Sequence, residues 1–175
     1  MAAITDGFPA IERPDARILV LGSLPGQKSI AEQQYYAHPQ NAFWPIMLEL
    51  FGVEGDYQER CEQLQEQGIA LWDVLHSSVR PGSMDSDIRM DSARPNDFGT
   101  FFTQHKAVAL VAFNGRKAEQ MFGRFVNAAS IPDSIGRVGL PSTSPAYASM
   151  PFSGKLSAWR EALLLSPQKQ AGGET

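Results

Sequence analysis

Ile18-Leu-Val-Leu21 is an unbroken apolar run, and Gly22-Ser-Leu-Pro-Gly26 closes it at once. A run with no polar alternation suits a strand buried on both faces, as in a parallel sheet covered by helices. Gly68 to Leu75, Ala107 to Phe113 and Arg137 to Leu140 read as three further strands. Helical stretches separate them. Gln27 to Gln34 is the first, with Ser29 available as a cap. Pro45 to Phe51 opens on a proline and closes on Gly52. Asp56 caps Tyr57 to Gln67, with Glu59 three residues on. Asn96 or Asp97 caps a helix through Gln104 that turns Phe98, Phe101 and Phe102 inward. Arg116 to Phe125 carries Ala118, Met121, Phe122 and Phe125 at helical spacing, and Leu156 to Leu165 is the last helix. Strands alternating with helices four times predict a three-layer α/β/α sandwich around a central four-stranded, mostly parallel sheet.

A chain of 175 residues is enough for one domain with a core of its own. The expected division is an N-terminal arm over residues 1–16, one domain over 17–166 and a disordered tail over 167–175. Met1 to Asp15 is polar with two prolines and reads as a loosely draped arm. His76 to Pro95 is rich in Ser, Asp, Arg, Pro and Gly and reads as a long loop, a feature that in a compact domain is usually functional or disordered.

Several classes fall away. No apolar run approaches the roughly 18 residues of a membrane span, and Met1 to Pro14 has no apolar core of signal-peptide type. A cytoplasmic protein without membrane contact, acting as a monomer, is the expectation. The single cysteine, Cys61, excludes an internal disulfide or a thiolate-held iron–sulfur cluster. His38, His76 and Asp73 have no metal-ligand spacing, so no metal and no cofactor is expected. The net charge of −4 argues against nucleic acid, but its distribution does not. Residues 1–105 carry seven basic and fifteen acidic side chains; residues 106–160 carry seven basic and two acidic. A basic half can give one face the positive field an anionic polymer meets.

In open α/β sheets ligands bind outside the carboxyl ends of strands, and three segments there carry polar and aromatic residues. The first is Gly22 to Gly26. It is not a Walker loop, since no Gly-Lys-Ser/Thr follows, and not a Gly-x-Ser-x-Gly elbow. The second is Tyr35-Tyr-Ala-His-Pro-Gln-Asn-Ala-Phe-Trp44, and the third is Pro141-Ser-Thr-Ser-Pro-Ala146. In combination they resemble the uracil-DNA glycosylase superfamily over about residues 17–165. Ala37-His-Pro-Gln-Asn-Ala-Phe-Trp44 looks much like the mismatch-specific uracil/thymine branch. Leu24, where that branch has asparagine, and Tyr-Tyr before Ala-His-Pro look more like the hypoxanthine-DNA (deoxyinosine) glycosylase branch.

The resemblance implies roles. Gly22, Ser23, Leu24, Pro25 and Gly26 would line the base pocket, together with Asn114 at the turn after the third strand. Tyr36 would stack on the flipped base. Asn41 matches the asparagine that acts in catalysis in the hypoxanthine branch. Asp73 stands where many relatives place a base-reading asparagine. Ser142, Thr143 and Ser144 would approach the DNA backbone. The serine-rich third segment lacks the histidine of the family's uracil enzymes, which points away from strong uracil activity.

Chemistry agrees with these roles. A stacked base must leave the duplex before its glycosidic bond is reached, and an aromatic platform holds it by roughly 1–3 kcal/mol. Asn41 is neutral and no strong base; its job would be to hold a water beneath C1′ while fixed dipoles stabilise the sugar cation. The carboxylate of Asp73 would accept from hypoxanthine N1–H and repel the bare N1 of adenine. No lysine is placed to form a Schiff base, so the expected activity is a monofunctional glycosylase of base excision repair acting on deaminated DNA, single- or double-stranded. Uracil or mismatched thymine as substrate, and an inactive DNA- or nucleotide-binding module, are the alternatives. Other readings stay open beside these. Tyr35 and Trp44 suit the core or a wall, His38-Pro39 a brace, and Asp73 a structural cap. Arg80, Arg89 and Arg94 are either a solvated loop or phosphate contacts. Arg116 and Lys117 open a helix whose terminal N–H groups favour anions, and Ser142 to Ser144 are either a capping turn or a phosphate site.

Overall fold

The computed structural model describes residues 3–165; the expected disordered tail from Pro167 lies outside them. The main sheet is built from β2 (Ile18–Gly22), β3 (Ile69–Asp73), β6 (Leu110–Asn114) and β7 (Gly136–Leu140), in the order β3-β2-β6-β7. All three pairings are parallel. Side chains leave successive strand residues on opposite faces, so β2 feeds two cores. Leu19 and Leu21 pack with Phe98, Phe101 and Phe102 of α4 (Phe98–Gln104) and with Ala118, Met121 and Phe122 of α5 (Arg116–Phe125). Ile18 and Val20 face the other way. They meet Phe43, Ile46 and Met47 of α2 (Phe43–Phe51), Leu64 of α3 (Tyr57–Glu66) and Trp159 of α6 (Phe152–Arg160). The three layers are those the alternation predicts. Each fully buried Val, Leu or Ile contributes about 1.5–3 kcal/mol. With all of β2 buried, the strand ends are the stiffest positions on which a site can stand.

Local signals explain the helix ends. Asp56 accepts from Glu59 N at 2.8 Å and Asp97 from Thr100 N at 3.1 Å, so Asp97 and not Asn96 is the cap of α4. Gly52 closes α2 at φ +70°. Two expectations change. α2 starts at Phe43, and Pro45 is its third residue, where a missing N–H still costs no helical bond. Ser29 does not cap α1 (Gln27–Glu32); it is buried, and its Oγ accepts from Ala37 N at 3.1 Å. α6 runs on through a π-helical turn, Glu161–Leu165.

The larger corrections concern the arm and the loop. Residues 4–6 form β1 (Ile4–Asp6), antiparallel to β4 (Leu75–Val79), with Ile4 opposite Val79. β4 also pairs with β5 (Arg94–Pro95), giving a second, three-stranded sheet. The segment read as one long loop is therefore two strands joined by two short 3-10 turns, Asp85–Asp87 and Met90–Ser92. The arm is tied down too. Ile11 exchanges backbone hydrogen bonds of 2.9 Å with Leu71, and Phe8 O accepts from Trp72 Nε1 at 3.2 Å. Buried His105 faces Glu12 with one ring nitrogen and Phe101 O with the other. The arm thus covers the free edge of β3, which would otherwise present unpaired groups.

Candidate active site

The carboxyl ends of β2, β3 and β6 open into a cavity of about 730 Å³. Its wall includes every residue assigned above to the base pocket: Gly22 to Gly26, Tyr36, Asp73 and Asn114, and also Asn41 and Ser142 to Ser144. Arg116 and Lys117 are not in the wall. They follow Gly115, the backbone of which (φ +101°) passes Ser142 so closely that a Cβ would stand 3.1 Å from the serine Cβ.

Hydrogen bonds tie the three segments together. Asn114 Nδ2 donates to Thr143 Oγ1 and Thr143 N donates to Asn114 Oδ1, both at 2.9 Å. Thr143 O accepts from Ala42 N at 2.9 Å. One residue back, Asn41 Oδ1 accepts from Phe43 N at 2.9 Å. The carboxamide is thereby held at the start of α2 with its amino group and second lone pair free. Asn114 is thus the pin between β6 and the third segment. Trp159 Nε1 donates to Pro141 O at 3.0 Å and Lys155 Nζ to Ser144 O at 3.2 Å, fixing the same segment from α6. Ser142–Ser144 is a braced turn that is not the start of a helix, since α6 begins only at Phe152.

Tyr36 lies in the left-handed region at φ +56°, a backbone strain of order 1–3 kcal/mol for such a residue. Its ring stacks on Phe43, with centroids 4.3 Å apart and planes 15° apart. Its hydroxyl has no partner of good geometry. Burial first, then the charge of Asp73, raises its pKa far above the usual phenol value, with the Asn114 amide opposing. Tyr35 and Trp44 are core residues, as expected: both are buried, Trp44 Nε1 donates to Tyr35 O at 2.9 Å, and Tyr35 OH donates to Pro9 O at 3.0 Å. His38 is exposed on the wall, and its Nδ1 accepts from Gln40 N at 3.1 Å, a brace within its loop.

Asp73 ends β3 directly opposite Gly22. It is 4% exposed, and its Oδ2 has no hydrogen-bond partner. Its backbone carbonyl accepts from Asn96 Nδ2 at 2.8 Å. A side chain acting as a structural cap would spend its oxygens on backbone N–H groups, and this one does not. Its pKa is raised to about 7 by burial first, then by the like charge of Asp85, against the lowering effect of Arg80.

Three wall or support residues have no sequence signal. Arg80 is buried, not solvated and not free for phosphate. Its guanidinium donates to Leu24 O at 3.4 Å and, more closely, to Pro25 O, so it holds the glycine-rich turn from below. Asp85 lies in the cavity wall and accepts from Ser23 Oγ, while Ser83 Oγ accepts from Gln27 N at 3.1 Å. The polar composition that made this segment look like solvent-facing loop is what lets it fold over the turn. Arg89 and Arg94 are exposed, as a solvated loop would have them. Lys28 also belongs to the wall; its ammonium pairs with Glu32 at 2.9 Å. Among the described residues no three His, Cys, Asp or Glu side chains converge as metal ligands, and His76 stands on β4, away from the cavity wall.

Known proteins are similar to this chain in sequence and in fold. A family model, the uracil DNA glycosylase superfamily, matches residues 8–165. Two curated proteins named hypoxanthine DNA glycosylase are similar to the chain. The one from Methanosarcina acetivorans is 39% identical over 118 residues, which is 66% of this chain and 73% of that protein. The one from Methanosarcina barkeri is 38% identical over 115 residues, 64% of this chain and 72% of that protein. A solution NMR structure from Methanosarcina acetivorans, described as a candidate uracil DNA glycosylase, superposes with a TM-score of 0.74 at 32% identity. It covers 92% of this chain and 99% of its own. With the match spanning all but the chain's ends and the cavity standing where its motifs meet, this protein belongs to the uracil DNA glycosylase superfamily.

Proposed function

We propose that the chain is a DNA glycosylase that hydrolyses the N-glycosidic bond of deaminated nucleotides, with hypoxanthine as its principal base. The observation that carries this is the buried, unpartnered carboxyl oxygen of Asp73, set in the same cavity wall as Tyr36 and Asn41. An unmet buried polar atom costs about 1–3 kcal/mol, and a purine N1–H entering the cavity would meet it. The names of the two Methanosarcina relatives support the same base.

In this reading the extruded nucleotide lays its base on the face of Tyr36 away from Phe43. Backbone groups of the Gly22–Gly26 turn border the base, and Asp73 reads its N1 edge. Asn41, oriented through Phe43 N, holds the attacking water at C1′ with its second lone pair. As the bond breaks, the base leaves with the electron pair, that water captures the sugar cation, and the proton the water loses ends on the departing base. Ser142 to Ser144 contact the phosphates beside the lesion, and Arg116 and Lys117 extend that contact outward. Lys28 pairs with Glu32 on the surface of α1 and takes no part in the chemistry, so the enzyme leaves an intact abasic strand. It works as a monomer in the cytoplasm.

Duplexes carrying inosine, uracil or xanthine, incubated with the protein and then treated with alkali, test the proposal. Strand breaks at inosine that need the alkali are expected, and Asn41→Ala and Tyr36→Ala abolish them. No breaks at any of the three bases would overturn it. Breaks without alkali that vanish in Lys28→Ala would overturn the monofunctional step.

A further inference from the structure

Two carboxyl groups border the base cavity, from different parts of the fold. Asp73 ends β3; Asp85 sits on the 3-10 turn that lies over the glycine-rich turn. Ser23 lies between them in the fold: it follows Gly22, the residue opposite Asp73 on β3, its backbone carbonyl accepts from Leu75 N at 3.2 Å, and its hydroxyl donates to Asp85. Arg80 lies beneath the same turn on the carbonyls of Leu24 and Pro25. We propose that Asp85 is a positioning residue that controls the ionisation of Asp73, and that this ionisation selects which purine the cavity accepts. The inference rests on the functional reading above and deepens it.

The selection follows from hydrogen-bond polarity. Ionised Asp73 offers only acceptors, which suits the N1–H of hypoxanthine and repels the lone pair on adenine N1. Protonated Asp73 offers a donor, which suits adenine N1 and opposes N1–H. Among the described residues neither carboxyl oxygen has a side-chain or backbone donor, and Oδ2 is the fully buried one, so the charge state of the carboxyl sets the polarity of the contact it can offer. The titratable and charged groups acting on Asp73 are Asp85 and Arg80, and it acts in turn on Tyr35 and Tyr36. Asp85 pushes protonation up and Arg80 pushes it down, a like charge and an opposite charge working as expected. With the midpoint near 7, Asp73 is ionised above that pH and protonated below it. Discrimination against adenine, the abundant normal base, is therefore strongest on the alkaline side.

The test uses duplexes with 2′-fluoroarabino-inosine or 2′-fluoroarabino-adenosine, sugars whose glycosidic bond resists cleavage. Dissociation constants by fluorescence anisotropy give an adenine-to-hypoxanthine ratio that cancels effects on the DNA backbone. In the wild type the ratio falls by up to about tenfold per pH unit as the pH drops from about 8.5 to 5.5, as a one-proton difference between the two complexes requires, and the inosine Kd alone rises below the Asp73 midpoint of the free protein. Asp85→Asn moves the midpoint in the inosine Kd to lower pH, and Asp73→Asn makes the ratio independent of pH. Carbon-13 titration of the Asp73 carboxyl, assigned by its loss in Asp73→Asn, gives the same midpoint without bound DNA. A ratio constant with pH in the wild type, or an Asp73 midpoint that Asp85→Asn does not lower, overturns the inference. If inosine is excised and the ratio is flat, only this inference falls. If inosine is never excised, the functional reading falls, and the two titrations still decide the carboxyl pair.

Discussion

Gly22→Ala separates the site from the fold. Gly22 ends β2 with Asp73 opposite it on β3. A Cβ there would stand 2.5 Å from Asp73 Oδ1 and 3.2 Å from Tyr36 Oη. Real Cβ contacts essentially never fall under 3.0 Å, so the carboxyl has to retreat by half an ångström or more. The backbone cannot absorb the difference, because β2 is paired on both sides. It also has no reason to, since Gly22 is not among the positive-φ glycines. Asp73 therefore swings away, and the Tyr36 hydroxyl, itself closer than an ordinary contact, has to give by a few tenths of an ångström. Overpacking of this kind costs about 1–3 kcal/mol. At roughly 2–4 °C per kcal/mol for a domain of this size, the melting temperature drops by about 2–12 °C and the protein stays folded. Activity suffers far more, because a misplacement near 1 Å can cost about 10²-fold in rate. The assay is single-turnover excision of inosine from duplex DNA, enzyme in excess, at a temperature well below both melting points. A folded Gly22→Ala protein that excises inosine as fast as the wild type would refute the argument that Asp73 and Tyr36 form one rigid reading surface.

Other substitutions probe the supports. Asn114→Ala removes both bonds to Thr143 and strands a buried N–H, a loss of about 1–3 kcal/mol; calorimetry should show the fall, and Kd for abasic duplex should rise as the third segment loosens. Arg80→Met leaves the carbonyls of Leu24 and Pro25 without their charged donor, a loss of roughly 1.5–3 kcal/mol. It also raises the Asp73 midpoint, because Arg80 is the group that lowers it, and carboxyl carbon-13 titration reads that shift directly. Glu12→Ala removes the carboxylate facing buried His105 and should cost about 1–3 kcal/mol. Limited proteolysis of the N-terminal segment then speeds up while inosine excision stays at the wild-type rate, since neither residue borders the cavity.

The parallel sheet was legible because burial on both faces leaves an unmistakable mark. Ile18 to Leu21 and Leu110 to Phe113 admit no polar residue, and nothing but a covered central strand explains such runs. The site's position was legible for the same reason: the glycine-rich turn, the tyrosine–asparagine segment and the serine-rich segment each stand where the sheet's polarity puts ligands. The second sheet left no such mark. Leu75-His-Ser-Ser-Val79 has the composition of a loop, and it becomes a strand because Ile4–Asp6, seventy residues away in the chain, lies against it; local pattern cannot report a partner so distant.

Arg80 and Asp85 show the same blindness at the site itself. Polar residues around Pro81 read as solvated, yet here Arg80 is buried because two carbonyls of the Gly22–Gly26 turn need a donor. Asp85 faces the cavity because Ser23 needs an acceptor. The need of each group becomes visible only once the turn has been folded, which is why a motif can be recognised from its own residues while the charges that tune it cannot. The residue that would touch the base, Asp73, could be named from the sequence; the two groups that set its proton lie in the segment that looked least structured. A change of substrate within this family is therefore to be sought in residues 80–87 as much as in the motifs they cover.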